Sequence, residues 1–195
     1  MSVHDPIARF LELQQRAERN GEPQRATAMT LATATPDGKP SVRMVLLKGA
    51  DQRGFVFYTN YGSRKAGELD ANPHAALVFY WPTIAKQVRI EGTITRVSDA
   101  EADDYFATRP RQSQLGAWAS RQSEPLPGRR ELIVAYLAEK ARRLGHKIPR
   151  PPFWGGYLLD PSRIEFWESR LGRLHDRTEF ERTEDGGWRR GMLYP

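Results

Sequence analysis

The sequence predicts an α+β fold that is mainly β: a six- to eight-stranded, largely antiparallel barrel with peripheral helices. Some eight short segments carry strand character, against four or five with helical character. The two kinds do not alternate regularly, which argues against a parallel sheet with crossover helices. Apolar residues make up 39% of the 195, and glycine adds 16 more, the balance of a chain that buries a core. That length suits one domain spanning residues 1–195, and no internal repeat divides it.

Each element has its own signal. Asp5 to Asn20 places Ile7, Phe10, Leu11 and Leu13 at spacings that predict a short helix, within an N-terminal helical segment over residues 1–25. Met29 to Thr35 and Ser41 to Lys48 are strands flanking Pro36, Asp37 and Gly38, residue types that favour a turn. A second turn over Gly49 to Gly54 leads into a strand at Phe55 to Thr59. Ser63 to Ala71 is a short helix closed by Asn72 and Pro73. Ala75 to Trp81 and Lys86 to Val97 are strands, the second alternating Gln87, Arg89 and Glu91 against Val88 and Ile90. Ser98 and Glu101 form a capping box that starts a helix over Asp99 to Thr108. Another helix is expected at Gln112 to Ser120, then a linker at Glu124 to Gly128 and an amphipathic helix at Arg130 to Leu144. Four further strands are expected at Trp154 to Leu159, Arg163 to Trp167, Thr178 to Thr183 and Trp188 to Tyr194.

Several function classes are excluded early. The longest apolar run, Ala75 to Trp81, is far too short to span a bilayer, and Met1 to Pro6 has no leader-like apolar stretch. With no cysteine there is no disulfide framework, thiolate metal site or cysteine nucleophile, so a cytoplasmic protein is expected. The net charge is +6, with 24 arginines against 6 lysines. Arginine's planar fork suits phosphate or carboxylate, although genome composition gives the same bias. No long basic block, zinc-finger spacing or RNA-binding signature accompanies that charge, so no nucleic-acid partner is expected. The glycine patterns of Rossmann and P-loop phosphate cradles and the serine-nucleophile elbow are missing. His4, His74, His146 and His175 are scattered, which predicts no metal site.

Four constellations remain. Tyr58 to Lys65 runs from a strand into a helix start, with Ser63 as N-cap and Arg64 and Lys65 in the first turn. Cations are disfavoured there unless an anion lies between them and the free backbone N–H groups; a solvated pair is the alternative. Arg43 and Lys48 are five apart, so on a regular strand they face opposite sides and serve different ligands or different parts of one pocket. Tyr105 and Arg109 share a helix face, and Ser113 follows; phenol, guanidinium and hydroxyl together suit a phosphate monoester, or else form an ordinary surface pair. Arg173, His175 and Arg177 alternate, so in extended chain they crowd one side, with Trp167 just upstream. Such crowding needs an anion or an electron-rich ring.

Glu165-Phe166-Trp167, a short gap and Arg173-Leu174-His175-Asp176-Arg177 together resemble the signature of the pyridoxine/pyridoxamine 5'-phosphate oxidase family. The resemblance runs from Thr27 to Met29 through Arg43 to Lys48, Phe57 to Asn60, Gly62 to Ala66, Gln87-Val88, Arg109 to Arg111, Ser113 to Trp118, Arg121 to Ser123 and Phe153 to Gly156. It implies an FMN-binding split β-barrel, a homodimer with FMN at the interface, and a C-terminal dimerisation and active-site region over residues 150–195. The implied FMN-binding residues are Arg43, Met44, Val45, Leu46, Leu47, Lys48, Tyr58, Thr59, Arg64, Lys65, Gln87, Gln122, Ser123, Trp167 and Arg177. The implied substrate-binding residues are Lys48, Tyr105, Arg109, Ser113, Arg173, Leu174 and His175. Arg173 and His175 are the implied catalytic pair, Arg173 for orientation and His175 either accepting a proton or binding the substrate.

The implied reaction oxidises pyridoxamine or pyridoxine 5'-phosphate to pyridoxal 5'-phosphate, with O2 as acceptor and H2O2 as product. The flavin carries the redox chemistry and the protein orients the substrate. Rival readings are a flavin oxidase acting on another aromatic metabolite, such as a phenazine precursor, and a non-catalytic flavin- or haem-binding barrel. Three features depart from the family pattern. Glu168 to Gly172 brings charges into the signature's gap, a flap-forming stretch ahead of Asp5-Pro6 is expected to be absent, and the ending reads Met192 to Pro195.

Overall fold

The computed structural model describes residues 5–21 and 23–195, so the first four positions of the N-terminal segment, His4 included, lie outside the described residues. Among these are six α-helices: α1 (Pro6–Asn20), α2 (Pro23–Thr27), α3 (Arg64–Ala71), α4 (Asp99–Thr108), α5 (Arg111–Ala119) and α6 (Arg129–Arg142). The strands are β1 (Ala28–Ala34), β2 (Pro40–Leu46), β3 (Gly49–Asp51), β4 (Gly54–Asn60), β5 (His74–Trp81), β6 (Lys86–Arg96), β7 (Trp154–Glu168), β8 (Asp176–Arg182) and β9 (Trp188–Leu193). They form one nine-stranded sheet in the order β2-β1-β5-β6-β7-β4-β3, with β8 pairing β7 and β9 beyond it. Every pairing is antiparallel. β2 and β3 are ends of the sheet, an antiparallel half-barrel with helices around it, in keeping with the expected α+β class of antiparallel barrel and peripheral helices.

The strand count exceeds the expected six to eight because the turn after Lys48 holds the three-residue β3. The two strands expected around Pro161 are instead one, β7, which pairs β4 along its first half, β8 along its second and β6 from Tyr157 to Glu168. The chain bends there without breaking, at a bulge where the β6 register shifts between Glu91 and Gly92. A Cβ on Gly92 would stand 2.0 Å from the Asp160 carbonyl oxygen, so only glycine permits that approach.

Local chemistry fixes the helix ends. The Asp5 carboxylate accepts from the Ile7 and Ala8 N–H groups at 2.9 and 3.1 Å, and Pro6 opens α1. Half of the expected capping box forms: Ser98 accepts from the Glu101 N–H at 3.2 Å, while the Glu101 carboxylate turns to Arg53. α1 buries Ile7, Phe10 and Ala17, and Phe10 meets Phe55, Phe79 and Trp81 at 4.9, 4.8 and 5.7 Å between ring centroids. A smaller cluster of Phe106, Leu115, Ile148 and Trp154 underlies α4 and α5. α6 departs from its expected amphipathic role. It buries no residue, and Leu132, Ile133, Val134 and Leu137 are exposed.

Candidate active site

The expected site residues gather at two separate places on the chain. The first surrounds a cavity of about 1040 Å³ between β2, β4, the start of α3 and the α4–α5 joint. β2 is an edge strand whose outward residues are apolar, with Val42 and Met44 67% and 63% exposed. Free edges ordinarily carry charges that discourage pairing, so this face suits a covered one. Arg43 and Lys48 both line the cavity, because β2 ends at Leu46 and strand alternation stops before Lys48. Their five-residue spacing therefore serves different parts of one pocket. Leu47 itself is buried in the core rather than lining the cavity.

Basic side chains hold the α3 end of the cavity. The Lys65 ammonium donates to Thr59 Oγ1, Ser63 Oγ and Gln122 Oε1 at 3.1, 3.3 and 2.9 Å, all neutral acceptors. Burial lowers its pKa, and the nearby Arg43 charge adds to the shift, so the site lacks a full counter-charge. Ser63 occupies the N-cap position but its hydroxyl caps nothing, contrary to expectation. Between Arg43 and Arg64 lies Glu68, a buried carboxylate that sequence reasoning missed. It accepts from Thr33 at 2.5 Å, Ser41 at 2.6 Å, Arg64 Nε at 2.8 Å and Arg43 Nη2 at 3.1 Å. Burial alone would raise its pKa, but these bonds outweigh it and hold the group down at about 2. The only sequence signal was its i, i+4 spacing from Arg64.

Aromatic rings form the other wall. Tyr58 stacks on Tyr105 at 4.0 Å and on Trp154 at 5.4 Å, the three rings nearly parallel. A Cβ on Gly156 would come within 2.7 Å of the Tyr58 ring, so that glycine clears the stack. Burial pushes the Tyr58 hydroxyl up to about 12 and raises that of Tyr105, which keeps both phenols protonated. Arg109 lies over Trp154 at 4.6 Å, and its Nη1 is buried with no hydrogen-bond partner. Tyr105 and Arg109 do not share a helix face as expected: α4 stops at Thr108, and Arg109 is extended at φ −69°, ψ 145°. Pro110 explains this, since a residue before proline is pushed out of the helical region. Ser113 sits in the first turn of α5, and all three still border the cavity. Gln122 and Ser123 close it, Ser123 at a strained φ of 74°.

The second group lies toward the far end of β7 and does not line this cavity. Gln87 pairs with Trp167, and Trp167 with Arg177, in one row across β6, β7 and β8. The expected alternation of Arg173, His175 and Arg177 is not found. β8 begins at Asp176, while Arg173 closes a 3-10 turn at φ 62° after Gly172. Arg177 grips the buried Glu165 with two bonds of 2.7 and 3.0 Å, and the His175 ring lies 4.6 Å from Trp167. An acid and a ring thus relieve the crowding that the sequence exposed. His175 Nδ1 accepts from the Arg170 N–H at 3.2 Å, whereas Arg173 and Leu174 are exposed. The charges of the unusual gap neutralise one another, Glu168 pairing with Lys86 and Arg170, and Arg170 with Asp176. Among the described residues no cluster of side chains suits a metal ion, and no helix is long and apolar enough to cross a membrane.

Residues 16–140 match the family model described as pyridoxamine 5'-phosphate oxidase, and residues 154–195 match the C-terminal dimerisation region of pyridoxine 5'-phosphate oxidase. The chain belongs to the pyridoxamine 5'-phosphate oxidase family. The pyridoxine/pyridoxamine 5'-phosphate oxidase of Rubrobacter xylanophilus is 60% identical over 98% of this chain and 87% of its own length. That of Anaeromyxobacter dehalogenans is 59% identical over 98% and 96%. A solved structure of PhzG from Burkholderia lata, in complex with tetrahydrophenazine-1-carboxylic acid, superimposes with a TM-score of 0.91 at 34% identity, covering 98% of this chain and 93% of that one. The family's two regions meet in one sheet here, since β7 pairs with both β4 and β6.

Proposed function

We propose that this chain is an FMN-dependent oxidase that converts pyridoxamine and pyridoxine 5'-phosphates to pyridoxal 5'-phosphate, reduces O2 to H2O2, and works as a single-domain homodimer. Its high identity to oxidases of that name supports the reaction. The observation that carries the substrate class is Arg109 Nη1, a buried guanidinium nitrogen without an acceptor, beside Tyr105 and Ser113. A fixed cation flanked by two hydroxyl donors suits the dianion of a phosphate monoester. The solved PhzG structure makes a non-phosphorylated aromatic substrate the competing reading, and the orphaned Arg109 nitrogen argues against it.

The residues also suit FMN. Lys65 has neutral partners only, and Arg64 keeps both terminal nitrogens unpaired, so together they offer charge and donors to the cofactor phosphate. The backbone of β2 from Arg43 onward, with Lys48, Tyr58, Thr59, Gln122 and Ser123, would border the rest of the flavin. Bound FMN would supply the two-electron acceptor that none of these side chains provides. Gln87, Trp167 and Arg177, with Arg173, Leu174 and His175, would complete the site from the partner subunit. The apolar outward face of β2 and the C-terminal dimerisation region favour that arrangement. Arg173 would orient the substrate ring. His175 would bind rather than take a proton: its Nδ1 already accepts a hydrogen bond, so the neutral ring presents Nε2–H as a donor.

Reconstituting apoprotein with FMN and adding pyridoxamine 5'-phosphate without oxygen tests the reading. The yellow flavin should bleach and regain its colour when air is admitted. A flavin that stays oxidised with saturating substrate sinks it.

A further inference from the structure

We infer that Glu68 is the positioning residue of the cofactor's phosphate site, aiming Arg64 into the cavity. The inference rests on the FMN reading above. Glu68 is 6% exposed and carries one arginine on each oxygen, Arg64 Nε on Oε1 and Arg43 Nη2 on Oε2. Gripping Arg64 by Nε fixes the plane of its guanidinium and leaves both terminal nitrogens free. Those two nitrogens form the fork that binds a phosphate through paired hydrogen bonds. Arg64 is itself 67% exposed, so nothing else packs it into one rotamer. Thr33 and Ser41 complete the carboxylate's shell from β1 and β2, anchoring Glu68 to the sheet rather than to its own helix alone.

A negative charge beside an anion site costs Coulombic attraction. The order it imposes on Arg64 and Arg43 must outweigh that cost if the group is to favour anion binding. Lys65 needs no such help, since Thr59, Ser63 and Gln122 already hold it.

The test compares FMN with riboflavin, which lacks only the phosphate, by fluorescence titration of apoprotein. Glu68→Ala should weaken FMN at least about ten-fold while riboflavin changes less than about two-fold, the loss of a charge-assisted contact to phosphate alone. Glu68→Gln, which keeps an acceptor for Arg64 Nε, should retain part of the preference. In an Arg64→Ala background the Glu68 substitution should weaken FMN far less than it does in wild type. Equal weakening of both ligands, or an undiminished FMN preference, overturns the assignment; if the alanine variant does not fold, the glutamine variant and the Arg64 background decide the same question. A wild-type apoprotein with no preference for FMN overturns the underlying cavity reading itself, and shows this before any variant is made.

Discussion

Arg109 lies over the Trp154 ring with its guanidinium carbon 4.6 Å from the centroid, and one of its terminal nitrogens is buried without an acceptor. Cation–π contact stabilises the charge without using its N–H donors. Burial lowers the Arg109 pKa, and the neighbouring Tyr105 opposes that shift. Arginine starts so high that the group remains a cation at any physiological pH. The arrangement leaves an unsatisfied donor that, on the proposed reading, an anionic substrate would complete.

Arg109→Ala should therefore lower kcat/KM for pyridoxamine 5'-phosphate by roughly 10- to 100-fold, the value of a hydrogen bond to a charged group. The loss should appear mainly in KM, with FMN content unchanged. Unphosphorylated pyridoxamine should be a poor substrate of the wild type and nearly indifferent to the change. Equal losses with both substrates would make Arg109 structural.

Lys65 gives a pH signature. Its pKa is depressed from 10.5 by burial and by Arg43, and a bound phosphate should raise it again. Binding then takes up a proton at any pH between the two values, so FMN affinity should fall as pH rises through the depressed value. Below that window Lys65 is charged in both states and adds no pH dependence. Titrations from neutral pH upward toward the ordinary lysine value should show the fall in wild type and not in Lys65→Met. The same slope in both proteins would assign the dependence elsewhere.

Glu68 makes the fold sensitive to acid. Its folded value of about 2 lies below the ordinary 4.5, so its contribution is present above pH 4.5 and is lost as pH falls toward 2. Urea midpoints of wild type and Glu68→Gln should converge between pH 5 and pH 2. A gap independent of pH would mean that shape, not charge, matters at this position.

His175 separates donor from base. Its Nδ1 accepts from the Arg170 N–H, which leaves the proton of the neutral ring on Nε2. Glutamine can place an amide N–H near the Nε2 position, whereas leucine cannot donate at all. His175→Gln should keep much of the wild-type rate of flavin reduction and His175→Leu should lose it. If both variants fall equally and the pH profile loses a limb, His175 is a base after all.

Most of the sheet was legible because alternation and turn residues are local. β1, β2 and the turn between them follow from apolar spacing and Pro36 to Gly38. The site was less legible where geometry depends on single backbone torsions. Gly172 and the left-handed Arg173 turn a segment that reads as alternating strand into a 3-10 turn. Pro110 does the same to the supposed helix face of Tyr105 and Arg109, and here the sequence held the signal in full view. Glu68 was hidden for another reason. Its four donors come from β1, β2 and α3, and only the folded chain brings them together.

The two separate groups of candidate residues can be tested together in a mixed dimer. Tyr58 pairs with Gly156 near the start of β7, whereas Gln87 and Arg177 pair with Trp167 near its end. One chain therefore holds Arg109 and Lys65 at one place and His175 and Arg177 at another; in the proposed homodimer a complete site would take one half from each subunit. Arg109→Ala and His175→Leu homodimers should both be impaired, since each of their sites lacks one half. In a mixed dimer one site carries both defects and the other carries none. Random reassociation makes about half of the dimers mixed, each with one intact site of two, so activity should recover to about a quarter of wild type. The experiment is unfolding and refolding of an equimolar mixture with FMN, with each variant refolded alone as control. If the mixture is no more active than the mean of its two parents, each chain builds its site alone and the two-half arrangement is wrong.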